Sequence, residues 1–214
     1  ADLQVRQLGE CRHDSPLAKY VAARETNDHY VDERDRVLFD DTLSGQSIRQ
    51  DFLEQVRPLA DRVAIEVLPV QTRDQLVRFA RERTQGELLY LLVYFQDGAG
   101  QVFTAEEIPR LIAASAPVPV YVAWDFQLDP AAVGGCVTSG FGHGRKAAQT
   151  LLDRLAGNHP PAVYDGLQGV TRQMYNFPAL ARFAIPRPTL DELGVAAVAL
   201  NSTLSAEEQR GIAE

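Results

Sequence analysis

The sequence is poor in cysteine and histidine, has no long apolar run and carries no excess of basic residues, and each absence excludes something. Its two cysteines and four histidines are dispersed among 214 residues, which excludes the close Cys/His spacing of a zinc site. No apolar run approaches the roughly 20 residues that cross a membrane as a helix. The formal net charge of -8 argues against nucleic acid or an anionic membrane surface as a partner. We therefore expect no metal, no cofactor, no nucleic-acid partner and no membrane span in this chain.

The two cysteines, Cys11 and Cys136, leave two possibilities open. Either they form a disulfide, or both remain thiols and Cys136 acts as a small buried hydrophobe among small residues. Their number and spacing do not fix the redox compartment of the protein.

Apolar runs of strand length alternate with helical patterns from position 37 onward. Val37–Phe39 precedes a helical pattern, and Leu88–Phe95 is a continuous apolar run too uniform for an edge strand. Thr72 begins a capping box, which predicts the start of a helix. Further strands are predicted at 62–68 and 118–124, and further helices at 108–115, 145–156 and 175–183. This alternation predicts an α/β fold with a parallel sheet, right-handed crossovers and helices on both faces.

Several motifs occur in an order and spacing that resemble a known family. They are Asp41-Thr42-x-Ser44-Gly45, the Leu88–Phe95 run followed by Asp97, Pro117–Phe126, Gly134-Gly135, Gly144-x-x-Ala147-Ala148 and the segment Tyr175–Asn201. Together they cover roughly residues 37–201 and resemble the second lobe of the ABC-transporter substrate-binding-protein family. That family also serves as the extracytoplasmic sensor domain of histidine kinases and diguanylate cyclases.

The resemblance implies a periplasmic-binding-protein-like, Rossmann-like lobe that binds a small molecule in the periplasm or another extracytoplasmic space. Its ligand would be amino-acid-like or purine-like, and its partner an importer permease or a membrane signalling module. The family carries a complete first lobe before the motif that begins at Asp41, whereas only a short segment precedes it here. The expected organisation is an N-terminal arm or first-lobe remnant over 1–36, a binding lobe with a hinge-return segment over 37–204, and a C-terminal tail over 205–214.

The segment from Asp41 to Gly45 lies where a strand is predicted to meet the first turn of a helix. Free backbone N–H groups there, with the hydroxyls of Thr42 and Ser44, can bind an oxyanion or a carboxylate. Alternatively, Asp41, Thr42 or Ser44 caps the helix, and capping and binding are compatible. The acids Asp40 and Asp41 repel an anion and favour an ammonium group or an amphoteric ligand such as an amino acid.

Aromatic and acidic residues end two further predicted strands. Trp124-Asp125-Phe126 offers an aromatic wall and a carboxylate, or else packs under the lobe with Asp125 capping a turn. Ligands of open α/β sheets bind at the carboxyl edge. The predicted ligand-binding residues are accordingly Asp41, Thr42, Ser44, Gly45, Phe95, Gln96, Asp125, Phe126, Gly134 and Gly135. Tyr175 and Asn176 are the predicted hinge, which ligand binding would shift.

The glycine-rich segment 140–144 has the composition of a phosphate-binding loop but lacks its Lys-Ser/Thr ending. We expect it to form a tight turn that leads into the helix at 145–156.

Enzymatic interpretations compete with the binding protein. Asp40, Asp41 and Asp125 could serve a small magnesium-dependent α/β enzyme acting on phosphate esters. A phospho-receiver domain would use the first two acids, Asp97 as phosphoacceptor and Lys146. The sequence has no Gly-x-Ser-x-Gly elbow and no paired nucleophile and base, so we expect a binding protein rather than an enzyme. A lobe kept only as an interaction module is the remaining alternative.

Overall fold

The computed structural model describes residues 34–57, 64–128, 131–160 and 170–185. The predicted C-terminal tail and positions 1–33 of the predicted N-terminal arm lie outside these ranges, whereas positions 34–36 of that arm belong to the first strand. The strands are β1 (Arg34–Phe39), β2 (Ala64–Val67), β3 (Leu88–Val93), β4 (Val120–Val122), β5 (Gly134–Thr138) and β6 (Thr171–Tyr175). The helices are α1 (Leu43–Val56), α2 (Arg73–Arg81), α3 (Glu107–Ser115), α4 (Gly140–Leu155) and α5 (Phe177–Arg182), with a 3-10 turn at Asp125–Gln127.

The six strands form one sheet in the order β2-β1-β3-β4-β5-β6. Strands β1 to β5 are parallel, and β6 pairs antiparallel with β5. The chain passes outward from β1 to β2 and then returns across β1 to continue from β3. The direction of winding therefore reverses between β1 and β3, which is where open α/β sheets leave a crevice at their carboxyl edge.

Two apolar cores cover the two faces of the sheet. One contains Phe52 and Val56 of α1 together with Leu180 of α5. The other contains Leu76 of α2 and Ile112 of α3. Strand β3 lies between them with all six residues buried, as expected of a central parallel strand. The predicted α/β fold with helices on both faces is confirmed.

Helices α2 and α3 begin close to the predicted positions. The Thr72 hydroxyl accepts from the Gln75 N–H, and the Gln75 side chain accepts from the Thr72 N–H, which completes the capping box of α2. Helix α3 begins at Glu107, so Pro109 lies in the first turn, where N–H groups have no intrahelical acceptor.

Within the described residues, no helix is long and apolar enough to cross a membrane.

Helix α4 begins at Gly140, so the expectation of a tight turn over 140–144 and a helix start at Arg145 is wrong. The Ser139 side chain accepts from the Gly142 N–H at 3.1 Å. The Asp125 carboxylate accepts from the Gly140 N–H. These two acceptors satisfy N–H groups that the helix itself leaves unpaired, which offsets the low helix propensity of the glycines.

Strand β6 was not predicted from the sequence. Its residues, Thr-Arg-Gln-Met-Tyr, show no apolar alternation. The strand is nevertheless held along its length by antiparallel pairing to β5. Because β6 runs against the other strands, the sheet is mostly rather than wholly parallel.

The adjacent glycines of β5 allow the strand to fit between its neighbours. Gly134 has φ of +107° and Gly135 of +145°, conformations that other residues rarely adopt. A Cβ on Gly134 would overlap the carbonyl oxygen of Met174, and one on Gly135 would lie 3.0 Å from the carbonyl oxygen of Val122. Both glycines are therefore required by the backbone conformation of β5 and by its close approach to the neighbouring strands.

Cys136 is fully buried in β5 and is disulfide-bonded. This agrees with the disulfide alternative rather than with two thiols. Cys11, the other cysteine of the sequence, lies outside the described residues.

Gly134→Ala is expected to destabilise the fold by about 3 kcal/mol or more, because it adds a backbone overlap to a strained φ. Urea unfolding followed by circular dichroism measures the change. Gly144→Ala is the matched control, since a Cβ there meets open space on a helix. It should alter the free energy of unfolding by less than about 1 kcal/mol, towards stabilisation. Equal effects of the two substitutions would contradict the role assigned to Gly134.

Candidate functional site

Four loops meet at the carboxyl edge of the sheet. They follow β1 (residues 40–42), β3 (94–96), β4 (124–126) and β5 (139–140). Because these strands are parallel neighbours, their loops lie side by side, starting from the junction between β1 and β3. The structure thus brings most of the predicted ligand-binding residues to one edge: Asp41, Thr42, Ser44, Gly45, Phe95, Gln96, Asp125 and Phe126.

Asp40 is buried and ties the loop after β1 to the loop after β3. Its Oδ1 accepts from the Thr42 N–H at 3.2 Å and from the Thr42 hydroxyl at 2.6 Å. Its Oδ2 accepts from the Phe95 N–H at 2.5 Å. The Asp40 N–H donates in turn to the carbonyl of Val93 at 3.1 Å. Both carboxylate oxygens are therefore committed to holding the two strands together.

The first turn of α1 combines a cap with accessible polar groups. Thr42 Oγ1 accepts from the Gly45 N–H at 3.0 Å, so the capping alternative is confirmed for Thr42. Gly45 is buried, and a Cβ at this position would overlap the carboxylate of Asp40. Asp41 and Ser44 are exposed, and Asp41 Oδ1 accepts from Gln46 Nε2 at 3.2 Å. These last two side chains remain accessible to a ligand.

The loop after β4 places an aromatic pair beside a carboxylate. The rings of Trp124 and Phe126 are stacked, with centroids 5.6 Å apart and planes inclined by 19°. Both are half-buried, as is Asp125 between them. The Asp125 carboxylate accepts from the Gly140 N–H at 3.1 Å and 3.3 Å. Asp125 thus caps α4 and still reaches solvent.

Gln127 is a buried member of this edge that the sequence analysis did not single out. Its Oε1 accepts from the N–H groups of Ala123 and Trp124, both at 3.1 Å, and its Nε2 donates to the carbonyl of Leu92 at 3.2 Å. One side-chain amide therefore joins the ends of β3 and β4. The sequence signal is an amide directly after an aromatic and acidic run, which does not by itself indicate burial.

Asp97 is buried in the turn after β3. Its Oδ1 accepts from the N–H groups of Ala99 and Gln101, and its Oδ2 from that of Arg73 at the start of α2. Burial raises the pKa of the Asp97 carboxyl, but the three backbone donors outweigh it and hold that pKa below its ordinary value. Lys146 lies within α4 rather than at a strand end. The arrangement differs from an accessible phosphoacceptor beside a lysine, so it gives no support to a phospho-receiver.

The carboxyl edge also exposes apolar surface. Leu43 is 87% exposed, Val102 73% and Phe141 72%. Phe95 and Gln96, in the loop after β3, are half-buried, and Gln96 Nε2 donates to the carbonyl of Gly100 at 3.2 Å.

The remaining predicted residues lie elsewhere. Strand β5 reaches the carboxyl edge at Thr138, which bridges to the loop after β4. Gly134 lies about 13 Å away along that strand, so it and Gly135 do not line the edge. Antiparallel pairing places Tyr175 beside Gly134, and Asn176 follows it. The predicted hinge pair therefore lies at the opposite edge of the sheet. The sequence does not reveal the direction of β6, so this position could not be predicted.

The acids of the edge do not form a metal site. Within the described ranges, no three His, Cys, Asp or Glu side chains are grouped so that they could hold a metal ion. Asp40 already uses both carboxylate oxygens on its own chain. No observation on these residues favours the magnesium-dependent enzyme.

The comparisons with known proteins bear on the fold of the chain. No family model matches the sequence. The fold is similar to the ligand-free, open structure of CD0873, a substrate binding protein with adhesive properties from Clostridium difficile. The TM-score is 0.56 and the sequence identity 13%, over 83% of this chain and 59% of that one. The chain has a periplasmic-binding-protein-like α/β fold.

A short stretch also matches a curated protein. It is 56% identical over 43 residues to the ATP-dependent 6-phosphofructokinase of Amycolatopsis methanolica. The stretch is 20% of this chain and 9% of that enzyme. A match of that extent carries no activity over to this chain.

Asp40→Ala is expected to destabilise the fold by about 3 kcal/mol, since it removes an acceptor that serves three donors. Asp41→Ala, one residue along and exposed, should change the free energy of unfolding by less than about 0.5 kcal/mol. Urea unfolding at neutral pH measures both. If the two variants have the same free energy of unfolding, Asp40 does not link β1 to β3 as assigned.

Asp97→Asn is expected to lower stability at about pH 7 by roughly 2 kcal/mol, because the neutral amide cannot accept from all three donors. The native pKa is lowered, so the stabilisation is present above the ordinary aspartate pKa and is lost as the pH falls through the native one. The gap between wild type and variant should accordingly shrink in acid. Asp74→Asn, at a carboxylate that is 89% exposed, is the control. A gap that stays constant down to about pH 2 would contradict the assignment.

Proposed function

We propose that this chain is a non-enzymatic binding lobe that holds a small molecule at the carboxyl edge of its sheet. The observation that carries the proposal is the set of accessible groups above the buried links of that edge. Asp41 and Asp125 present carboxylates, and Trp124 and Phe126 present a stacked aromatic pair. Asp41 lies beside the reversal of winding between β1 and β3, where ligands of such sheets bind, and the loop after β4 lies one strand further along the same edge.

The charges of the edge select a ligand with a cationic group. The described residues of the four loops include two accessible carboxylates and neither lysine nor arginine. A carboxylate attracts a cation and repels an anion, and an aromatic face attracts a cation as well. The ligand class that fits is a small molecule with an ammonium or protonated nitrogen next to an apolar or aromatic body. Amino acids meet that description through their ammonium group, whereas purine-like bases are neutral at pH 7 and would fit through their ring N–H donors and aromatic face.

The lobe would serve as the receptor part of an ABC importer or of a transmembrane signalling protein. The similarity in fold to a substrate binding protein supports this role. A disulfide at Cys136 supports a periplasmic or extracytoplasmic location, since disulfides persist in oxidising compartments. The partner would be an importer permease or a membrane signalling module that reads a ligand-dependent change in the lobe.

Native mass spectrometry of the purified chain, with a denatured control, tests for a ligand that it retains. Isothermal titration with a panel of amino acids and purine bases then tests for binding. Asp125→Asn keeps an acceptor for the Gly140 N–H but removes the charge, so it should weaken binding about tenfold, or about 1.4 kcal/mol. Phe126→Ala should weaken it to a similar extent by removing one ring of the pair.

Asp51→Ala is the matched control, an exposed acid on α1 that is not part of the four loops. It should leave affinity unchanged. If Asp51→Ala and Asp125→Asn weaken binding equally, the ligand does not use the proposed site. If no member of the panel binds and the protein is isolated without a ligand, the chain is an interaction module rather than a binding lobe.

A further inference from the structure

The acids of the carboxyl edge differ in how many hydrogen-bond donors the protein gives them. Asp40 and Asp97 each accept from three donors, so their oxygens are largely occupied. Among the described residues, the Asp41 carboxylate accepts from one side-chain amide and the Asp125 carboxylate from one backbone N–H. An ionised carboxylate can accept about four hydrogen bonds. Asp41 and Asp125 therefore keep the capacity to accept from a ligand.

Neither of these two carboxylates is paired with a cationic side chain of the described residues. The ion pairs in that part of the chain are made by Arg36, Arg73 and Arg83, and none of them includes Asp41 or Asp125. Asp41 is exposed and Asp125 is half-buried, so both are accessible from solvent. Each carboxylate therefore presents a negative charge that can attract a cationic group of a ligand.

The two carboxylates belong to loops that the sheet holds two strand spacings apart. Asp41 follows β1 and Asp125 follows β4, and β3 lies between these strands. Neighbouring strands are about 4.8 Å apart, so the two loops are separated by about 10 Å. A metal ion contacts its oxygen ligands at about 2.0–2.6 Å, and an ammonium group at about 2.8 Å. One cation can therefore serve only one of the two acids.

The loop between the two acids presents an aromatic surface. Phe95, in the loop after β3, is half-buried, as is Trp124 in the loop after β4. Both rings pack against the same apolar core, so they lie towards the same face of the sheet. The Asp40 carboxylate accepts from the Phe95 N–H, which fixes the position of this loop. An apolar chain that runs from Asp41 to Asp125 along this edge crosses the loop that carries Phe95.

We propose that the ligand of this edge is an α,ω-diamine, with one ammonium group at Asp41, the other at Asp125 and the methylene chain over Phe95. This inference rests on the proposed function, because it names the ligand class of the same site. A second ammonium group meets the acid that a ligand with one cation leaves unmatched. A diamine also lacks the carboxylate of an amino acid, which the two acids repel. Its methylene groups are removed from water by the aromatic surface.

The spacing of the loops selects the length of the diamine. An extended chain advances about 1.2 Å per bond, so the nitrogens of 1,4-diaminobutane and 1,5-diaminopentane are about 6–7 Å apart. A charge-assisted hydrogen bond adds about 2.8 Å at each end. These two diamines therefore span roughly 10–12 Å, which fits the separation of the loops. The nitrogens of 1,2-diaminoethane are only about 4 Å apart, so this molecule falls short.

Isothermal titration with a series of diamines tests the proposal, with n-pentylamine as a monocation of similar length. 1,5-Diaminopentane is expected to bind at least tenfold more tightly than n-pentylamine, and affinity should fall for 1,2-diaminoethane and for 1,8-diaminooctane. Asp41→Asn and Asp125→Asn should each weaken 1,5-diaminopentane about tenfold, towards the affinity of the monoamine. Binding of n-pentylamine should change less than about twofold in either variant, because it can use the remaining acid.

Asp51→Asn is the matched control, because Asp51 is an exposed acid on α1 outside the four loops. It should leave the affinity for 1,5-diaminopentane unchanged. Circular dichroism verifies that all three asparagine variants are folded. If diamines bind but the variants at Asp41 and Asp125 have no more effect than Asp51→Asn, the ligand does not bridge the two acids and the proposal is overturned.

Failure of this inference can be told apart from failure of the proposed function. An amino acid or purine base that binds, and that Phe126→Ala weakens, would support the binding lobe. If diamines then bind no better than n-pentylamine, the edge is a ligand site but not a diamine site. If none of the amino acids, purine bases or amines binds, the proposed function itself is contradicted, and the diamine site with it.

Discussion

One buried carboxylate joins the two strands between which the candidate site lies. The sheet changes its direction of winding between β1 and β3, so no helical crossover connects these neighbours directly. Asp40 connects them instead, by accepting from Thr42 on one side and Phe95 on the other. Hydrogen bonds to a charged acceptor are worth about 1.5–3 kcal/mol each, so this link is strong for its size.

The same device recurs along the edge with other side chains. The Gln127 amide joins the end of β3 to the end of β4, and Asp125 joins the loop after β4 to the start of α4. Each link fixes the backbone under an accessible group. A site held in this way loses little conformational entropy when it binds, which is the benefit of preorganisation. Two consecutive residues can differ in this respect: Asp40 is buried and holds the backbone, whereas Asp41 is exposed and accessible.

The α/β fold and its carboxyl edge could be predicted from the sequence because they rest on patterns within single elements. The buried run of β3 and the capping box at Thr72 are of this kind. Features that depend on contacts between distant segments could not be predicted. Gly134 is explained by the carbonyl of Met174, and the burial of Gln127 by an acceptor on β3. Helix α4 begins at Gly140 rather than at Arg145 partly because the Asp125 carboxylate, in the loop after β4, accepts from the Gly140 N–H.

The direction of β6 had the largest effect on the candidate site. A further parallel strand would have ended at the carboxyl edge, where Tyr175 and Asn176 could have formed a hinge beside the ligand. Antiparallel pairing places them at the other end of β5. Strand direction depends on the connection before the strand, and the composition of Thr171–Tyr175 contains no signal for it.

The link between Asp40 and Phe95 also has a kinetic meaning. The two residues are 55 positions apart, and α1, β2 and α2 lie between them in the chain. Closing so long a segment costs chain entropy, and that cost falls when α1, β2 and α2 shorten the span between the two residues. The two sides of the candidate site therefore depend on the folding of the whole segment between them. A molecule bound across them would recognise completed chains and pass over partly folded ones.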